Sequence, residues 1–363
     1  MIGNITDAKV SHMTQPQGAL LVVSVNYPDA ETTIRTAGEV LGDRLKRVPD
    51  GEVGRRYHWI LFQADVLGQA EGLERVGDEP FYLGPIDVRP LRISEGVEAS
   101  SIRLPPLGYA SAARESYEVF RRLRDEGVLA QGTRFQVSLP TPVAVVGAFF
   151  PPEQRAAIEP VYRDALFRDL AEIIAAVPHE DLAIQWDVAV EFQIIEGKGY
   201  GPEFGGAVAA WWEDVWAGLV DRAAEQAGQV PTGVELGFHL CYGDANEQHF
   251  TQPTDTANLV RFANAVIAAS PRRIDWLHLP VPIERDDDAY FAALAQLKVP
   301  DETELYLGLV HREDGAEGAR RRIDAALRHT PRFGVATECG CGRAPAEATP
   351  GLLATHAEVA AAW

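Results

Sequence analysis

Short runs of apolar and β-branched residues alternate along the chain with longer segments whose apolar positions recur at helical spacing. Strands that are buried on both faces of a parallel sheet have this composition, because neither face meets water. Eight such runs are predicted to be strands: Ala19–Val25, Arg44–Val48, Thr133–Leu139, Leu182–Val188, Gly233–Cys241, Ile274–Leu279, Glu304–Val310 and Phe333–Thr337.

Several of the intervening segments have the features of amphipathic helices. In Pro160–Val177, three apolar residues recur at the spacing that places them on one helix face. Capping residues and prolines predict three more helices: Asp255–Ser270, Gly315–Arg328 and a last one from Thr349 to about Ala361. The stretch between the second and third strands is too long for one helix, and Phe81–Ile93 within it is predicted to form an extra hairpin.

The number of repeated strand–helix units predicts the fold class. Alternation over about eight units is typical of a parallel α/β fold and favours a closed (β/α)8 TIM barrel, with an open doubly wound sheet as the alternative. The chain has 363 residues, of which 46% are hydrophobic, so one large core is possible. We predict a single domain over residues 1–363 with an irregular segment over 1–17.

The net charge of the chain argues against some classes of binding partner. With 33 Lys+Arg against 53 Asp+Glu, the formal charge is −20, which repels nucleic-acid backbones and anionic lipid. The first residues have no basic-then-apolar signal pattern, and no apolar run is long enough to span a bilayer. We therefore predict a cytoplasmic protein, a monomer or homodimer with small-molecule partners, whose three cysteines stay reduced.

Two short motifs at predicted strand ends indicate a metal site. His239 and Cys241 form an H-x-C pair after the fifth strand, and Cys339 and Cys341 form a C-x-C pair after the eighth. Residues two apart in a strand point the same way, and closure of a barrel brings strand ends to one mouth. Thiolate and imidazole ligands favour zinc. We predict Zn2+ bound by His239, Cys241 and Cys339 with a fourth position open to substrate. Adding Cys341 would make the site structural, and buried cysteines without metal are the alternative.

Further polar residues are predicted at the same end of the barrel. Asp187, His278 and His311 are the predicted catalytic residues, for proton transfer or substrate orientation, although either histidine could instead be a metal ligand or a core residue. Arginines there could bind a carboxylate or phosphate, or form a salt-bridged surface loop. The predicted substrate-binding residues are Asp50, Arg55, Arg56, Trp186, Glu191 and Arg343.

Three motifs resemble those of a known enzyme family: H-x-C after the fifth strand, GLVH after the seventh and ECGCGR after the eighth. They are similar to motifs of the catalytic barrel of cobalamin-independent methionine synthase, which shares a superfamily with uroporphyrinogen decarboxylase. The resemblance covers most of the chain loosely. In that family zinc is held by the H-x-C pair, a Glu on the sixth strand and a late Cys. The resemblance therefore implies His239, Cys241 and Cys339 as ligands, with Asp187 of the IQWD run facing the substrate.

The chain departs from the family pattern in two ways. The sixth strand has no Glu at the ligand position, where His278 could take its place, and the chain has the length of one barrel whereas the full synthase has two. We expect a zinc-dependent methyl- or alkyltransferase that acts on a thiol acceptor, with a methyl or alkyl donor as its second substrate. A lyase or decarboxylase that uses His278, His311 and Asp187 is the alternative, and a barrel that binds thiol or metal without turnover is the third.

Overall fold

The computed structural model describes residues 15–200, 206–245 and 247–363. Most of the segment predicted to be irregular, residues 1–17, therefore lies outside the described residues. The strands in the described ranges are β1 (Ala19–Leu20), β2 (Arg47–Pro49), β3 (Leu73–Arg75), β4 (Tyr82–Leu83), β5 (Ile86–Asp87), β6 (Leu91–Ile93), β7 (Arg134–Pro140), β8 (Leu182–Val188), β9 (Glu235–Leu240), β10 (Trp276–Pro280), β11 (Glu304–Val310) and β12 (Gly334–Thr337).

Eight of these strands form one parallel sheet in the order β1-β12-β11-β10-β9-β8-β7-β2. A parallel bridge between Ala19 and Leu45 joins the first strand to the segment just before β2. The sheet therefore curves into a nearly closed barrel, and the predicted (β/α)8 fold is confirmed. The open doubly wound sheet is excluded, since its edge strands would not meet.

Helices connect and surround the strands: α1 (Ala30–Leu41), α2 (Gln63–Leu67), α3 (Tyr109–Asp125), α4 (Pro142–Phe149), α5 (Pro152–Ala176), α6 (Val190–Glu196), α7 (Val215–Gly228), α8 (Ala257–Ala269), α9 (Asp288–Phe291), α10 (Gly315–Leu327) and α11 (Thr349–Val359). None of the described helices is both long and apolar enough to cross a membrane. The predicted helix start at Pro160 is wrong, because α5 begins eight residues earlier and contains Pro160. Ala156, whose carbonyl loses its helical partner to that proline, is exposed to water.

The first barrel strand is much shorter than predicted, and side chains from its neighbours explain why. Beyond Leu20 the chain no longer pairs as a strand. Instead, the Gln136 side-chain amide donates to the carbonyls of Leu21 and Val22 at 3.2 and 2.8 Å, and that of Gln185 donates to Val22 at 2.7 Å. Buried carbonyls need a partner, and here side chains supply it.

The long connection after β2 contains the predicted hairpin. Tyr82–Leu83 pairs antiparallel with Ile86–Asp87, and Leu91–Ile93 pairs antiparallel with Leu73–Arg75. The prediction of extra antiparallel structure between the second and third barrel strands is thus confirmed.

Large side chains fill the barrel interior near the amino-terminal ends of the strands. Trp276 at the start of β10 is fully buried, and a Cβ atom on Gly237 of β9 would lie only 1.9 Å from its indole ring. Gly237 is therefore required for this close approach. Because this part is packed solid, any chemistry belongs at the opposite end, where the carboxyl ends of the strands meet.

Candidate metal centre

The end of β9 positions two of the predicted ligands. His239 lies within the strand, and the backbone N–H of Cys241 donates to the Val188 carbonyl at 2.9 Å, which continues the pairing with β8 past Leu240. Because the chain stays extended, residues two apart point to the same side. Both side chains are buried and face the Cys339 sulfur.

Cys339 approaches from the end of β12, on the loop that follows Thr337. Its Sγ lies 3.5 Å from Cys241 Sγ and 3.4 Å from His239 Nε2. The three ligand atoms all lie within 4.8 Å of one another. The predicted ligands from the fifth and eighth strands therefore meet at one point, although they are about a hundred residues apart in the chain.

The donor set of this cluster fits a zinc ion. Two sulfurs and one imidazole nitrogen are the ligand types that zinc prefers, and three of them leave a tetrahedral position free. The Gly243 N–H lies 3.3 Å from Cys241 Sγ and points at it as a donor. The hydrogen bond with Cys241, together with burial, raises the pKa of the Cys339 thiol well above its ordinary value. Binding of a cation would reverse this, because metal ligation releases thiol protons.

Cys341 lies apart from the cluster. The chain turns into a short 3-10 helix at Cys341–Arg343 and is no longer extended, so Cys339 and Cys341 do not face the same way. Cys341 is packed in the hydrophobic core, and burial raises the pKa of its thiol to about 12. It remains a neutral thiol at physiological pH, and among the described residues the candidate ligands are the other three.

His278 of β10 lies directly beside His239, with which it is paired in register. Their Nδ1 atoms are 2.7 Å apart, and His278 Nε2 lies 3.0 Å from the Thr337 carbonyl oxygen. His278 is fully buried. It contacts Nδ1 of the His239 ring, whereas Nε2 of that ring faces the Cys339 sulfur. Both ring nitrogens of His278 therefore already have a hydrogen-bond partner, His239 and Thr337.

A cavity of about 580 Å3 opens beside Cys339 at the mouth of the barrel. Its wall comes from the loops after β9, β10, β11 and β12. His311 lines it and donates from Nε2 to the Val281 carbonyl at 2.8 Å, and burial lowers its pKa to about 4. The cavity is therefore in position to hold a substrate against the candidate metal centre.

The same cavity holds a buried histidine–carboxylate pair. His249 Nε2 lies 3.1 Å from Glu338 Oε1, and only 3% of the His249 side chain is exposed. Burial lowers the pKa of His249 to about 4, and burial together with nearby Asp244 raises the pKa of Glu338 well above its ordinary value. The two shifts together favour a neutral pair.

Two further buried carboxylates, Asp187 and Glu52, each have an oxygen atom without a hydrogen bond among the described residues. Asp187, paired in register with His239, accepts from Gln185 at 2.9 Å through Oδ1, while its Oδ2 has no hydrogen bond of good geometry among the described residues. The Trp59 indole lies beside this carboxyl and partly opposes the rise of its pKa. Glu52 Oε2, in the loop after β2, is likewise unpaired within those residues. Burial raises the pKa of Glu52 to about 7 and that of Asp187 well above its ordinary value, with the Glu52 charge adding to the Asp187 shift.

The loop that carries Glu52 is held in a strained conformation. Glu52 and Trp59 have φ angles of 50° and 53°, a region that non-glycine residues rarely occupy. Asp50 fixes this loop, since its carboxylate accepts from Arg56, from Ser116 and from the Glu52 N–H at 2.5, 2.6 and 2.9 Å. Burial opposes ionisation of Asp50, but Arg56 outweighs it, and the pKa lies below its ordinary value. Strain of this kind is concentrated at functional sites.

The remaining predicted substrate-binding residues have different positions. Arg343 donates to Ser24 Oγ at 3.1 Å and to the Tyr57 carbonyl at 2.6 Å, close to Glu52. Glu191 at the start of α6 is buried, and burial raises its pKa to about 7. Arg55 is exposed and pairs with Asp65, and Trp186 faces outward against Phe167 of α5. Arg55 and Trp186 therefore contact residues outside the cluster and the cavity, and their role in substrate binding stays a prediction.

Three residues of the site were not predicted from the sequence: Glu52, His249 and Glu338. Glu52 lies between the predicted residues Asp50 and Arg55, and Glu338 stands inside the ECGCGR run that was recognised for Cys339. A carboxylate next to a predicted ligand was thus a usable signal for Glu338. His249 has no such signal, because its loop has no regular pattern and only the fold brings it to Glu338.

Comparison with known proteins supports the fold at low sequence identity. No protein-family model and no curated protein matches the chain. A candidate vitamin-B12 independent methionine synthase from Listeria monocytogenes matches with a TM-score of 0.51 and 16% identity, over 91% of this chain and 85% of that one. A methyltransferase from Methanosarcina mazei matches with a TM-score of 0.53 and 11% identity, over 95% of this chain and 94% of that one. At these identities the likeness shows a common barrel fold.

Proposed function

We propose that this protein is a zinc-dependent methyl- or alkyltransferase that acts on a thiol acceptor. The observation that carries the proposal is the convergence of His239 Nε2, Cys241 Sγ and Cys339 Sγ beside an open cavity. When bound there, zinc would lower the pKa of an acceptor thiol so that a thiolate exists at neutral pH. The fold likeness to a candidate methionine synthase and to a methyltransferase agrees with this reaction class.

The buried carboxylates supply a place for the rest of the acceptor. An unpaired carboxylate in a buried site is stabilised when a cationic or hydrogen-bonding group pairs with it. Asp187, on the strand next to His239, offers one such oxygen, and Glu52, close enough for its charge to raise the pKa of Asp187, offers another. We propose that an ammonium group of the acceptor binds there, which makes a small aminothiol the favoured acceptor class.

The cavity beside Cys339 is the proposed donor pocket, and its charge bears on the donor. Its wall contains one arginine, Arg312, and five acidic residues, of which Glu338 belongs to the neutral pair with His249: Asp244, Glu247, Glu284, Glu313 and Glu338. Arg312 is already paired with Glu247 at 2.8 Å. A wall with this excess of acid disfavours a polyanionic donor such as a polyglutamylated folate, so we propose a donor of low negative charge.

The lyase or decarboxylase alternative receives less support from the site. It requires His278 to exchange a proton with a substrate, yet both ring nitrogens of His278 are engaged with His239 and Thr337 inside a fully buried position. A barrel that binds thiol or metal without turnover has the same geometry as the proposed enzyme, and only an activity measurement separates the two.

The test measures zinc content and thiol methylation together. Purified protein is analysed by atomic spectroscopy, and methylation of cysteamine, cysteine and homocysteine is followed with methyl iodide, a donor that needs no recognition. We expect bound zinc and a rate above the uncatalysed background that chelators abolish. Cys339→Ser should lower zinc affinity on the order of 100-fold or more, whereas the matched variant Cys341→Ser should retain zinc and rate. Protein without zinc, or a rate indifferent to chelators, would overturn the proposal.

A further inference from the structure

The sixth barrel strand, β10, contains a histidine, whereas the resembled family has a metal-ligating Glu on that strand. His278 lies in β10 next to His239, and it is fully buried. Its two ring nitrogens have different partners, His239 Nδ1 at 2.7 Å and the Thr337 carbonyl at 3.0 Å. These two contacts together determine where the protons lie on both rings.

The Thr337 carbonyl oxygen is an acceptor only, so His278 Nε2 must carry a proton and donate it. A neutral imidazole has one N–H, which leaves His278 Nδ1 as an acceptor. His239 Nδ1 must then donate to it across the 2.7 Å contact. The remaining nitrogen, His239 Nε2, is therefore unprotonated, and it is the atom that lies 3.4 Å from Cys339 Sγ.

We propose that His278 is a positioning residue, which fixes the tautomer and the rotation of His239 and thereby aims the Nε2 lone pair of that ring at the metal position. It is an outer partner and not a fourth ligand. This inference rests on the metal centre proposed above. Because His278 contacts His239 and not the metal position, three protein ligands remain, and the fourth position is left for substrate. Outer partners of this type orient ligating histidines in many metal sites.

The alternative, direct ligation by His278, requires a different structure. The ring would have to leave both His239 and Thr337 and rotate inside a fully buried position. His239 Nδ1 and the Thr337 carbonyl would then lose their partners, and a buried polar group without a hydrogen bond is destabilising. Among the described residues, the cluster with metal-binding spacing consists of His239, Cys241 and Cys339 without His278.

Nuclear magnetic resonance of the metal-free protein tests the inference directly. The chain is labelled with 15N-histidine, and the two ring signals are assigned with single-histidine variants. At neutral pH we expect the Nδ1–H tautomer for His239 and the Nε2–H tautomer for His278. An Nε2–H tautomer of His239 would overturn the inference. Because the measurement needs no metal and no turnover, it remains decisive if the protein proves to bind no zinc, which would refute only the proposed function.

Two variants extend the test to metal binding. His278→Leu removes the acceptor and should weaken zinc affinity about 10–100-fold in a chelator competition assay. His278→Gln has both a carbonyl oxygen and an N–H at the end of its side chain, so it should restore most of the affinity. X-ray absorption of the zinc-loaded wild type should detect one imidazole and two sulfurs, and a second imidazole in that shell would also overturn the inference.

Discussion

Both ends of the barrel contain buried ionisable side chains, but the two ends differ in whether those side chains have a partner of opposite charge. At the amino-terminal end, Arg47 is 2% exposed and donates to Glu235 at 2.6 Å and to Glu304 at 2.7 Å. Lys46 and Tyr306 also bond to Glu304, and the Arg47 guanidinium lies 4.2 Å from the centre of the Trp276 ring. Each charge in this network has an opposite partner.

At the carboxyl end Asp50 is paired with Arg56, but three other buried carboxylates lack such a partner. Glu52, Asp187 and Glu191 each have an oxygen without a hydrogen bond among the described residues. The pKa of each carboxyl depends on whether it has a cationic partner. Arg47 holds the pKa of Glu304 below its ordinary value against the effect of burial, whereas burial raises the pKa of Glu52 and Glu191 to about 7.

The comparison distinguishes a network of paired buried charges from buried carboxylates that can still pair with a ligand. A buried charge that keeps its partner has its burial cost offset, whereas a buried charge without a partner destabilises the fold until a ligand supplies one. Removal of one partner from the amino-terminal network should therefore be costly, and we expect the carboxylates at the carboxyl end to be the ones that a ligand can pair with. Three variants can break or sharpen this comparison.

The largest effect is expected from Arg47→Met. The substitution removes the central cation and leaves two carboxylates, Glu235 and Glu304, facing each other without it. We expect the free energy of unfolding to fall by about 3–5 kcal/mol, measured by urea denaturation, with zinc binding by the refolded protein unchanged.

An exposed ion pair gives the control for this variant. Arg332 and Asp301 are 60% and 94% exposed, so Arg332→Met should change the free energy of unfolding by less than about 1 kcal/mol. Equal effects of the two substitutions would show that the amino-terminal network is not a special source of stability.

A pH-dependent effect is expected from Glu52→Gln. Burial raises the pKa of Glu52 from 4.5 to about 7, so the folded state binds the proton more tightly than the unfolded state. Ionisation of Glu52 should therefore lower stability as the pH rises through this window, and its contribution between pH 5 and pH 8 is roughly 2–3 kcal/mol. Glu191, whose pKa burial also raises to about 7, adds a loss of its own. Glu52→Gln should reduce the total loss by the contribution of Glu52, in denaturation curves measured at both pH values.

The matched control is Glu317→Gln, which also removes one negative charge, but from a side chain that is 90% exposed. It should leave the fall in stability between pH 5 and pH 8 as it is in the wild type. If Glu52→Gln behaves in the same way, Glu52 does not contribute to that fall.

The smallest effect is expected from Arg55→Ala. Arg55 is 67% exposed and its contact with Asp65 is 3.4 Å, which makes it a weak surface ion pair. We expect a change in the free energy of unfolding within about 0.5 kcal/mol and an unchanged rate of thiol methylation. A loss of turnover at unchanged stability would support Arg55 as a substrate-binding residue, as the sequence predicted.

The sequence by itself predicted the barrel, which the structure confirms, and the candidate ligands that meet in it, because both predictions depend on local periodicity. Alternation within a strand placed His239 and Cys241 on one side, and the position of Cys339 at another strand end followed from the parallel order. The same alternation would have placed Trp186 opposite to Asp187, so the outward position of that indole was accessible from the sequence.

Only the tertiary structure decided the state of each group in the site. His278 and Thr337 are 59 residues apart, and their hydrogen bond sets which nitrogen of His239 is free. Cys341, the alternative fourth ligand, lies apart from the other three because the chain turns after Gly340, and Glu52 lies in the candidate site because a strained loop holds it inside. Periodicity fixes which face a residue shares with its neighbours in sequence. Proton positions, pairing and burial depend on contacts between distant segments, which form only when the barrel closes.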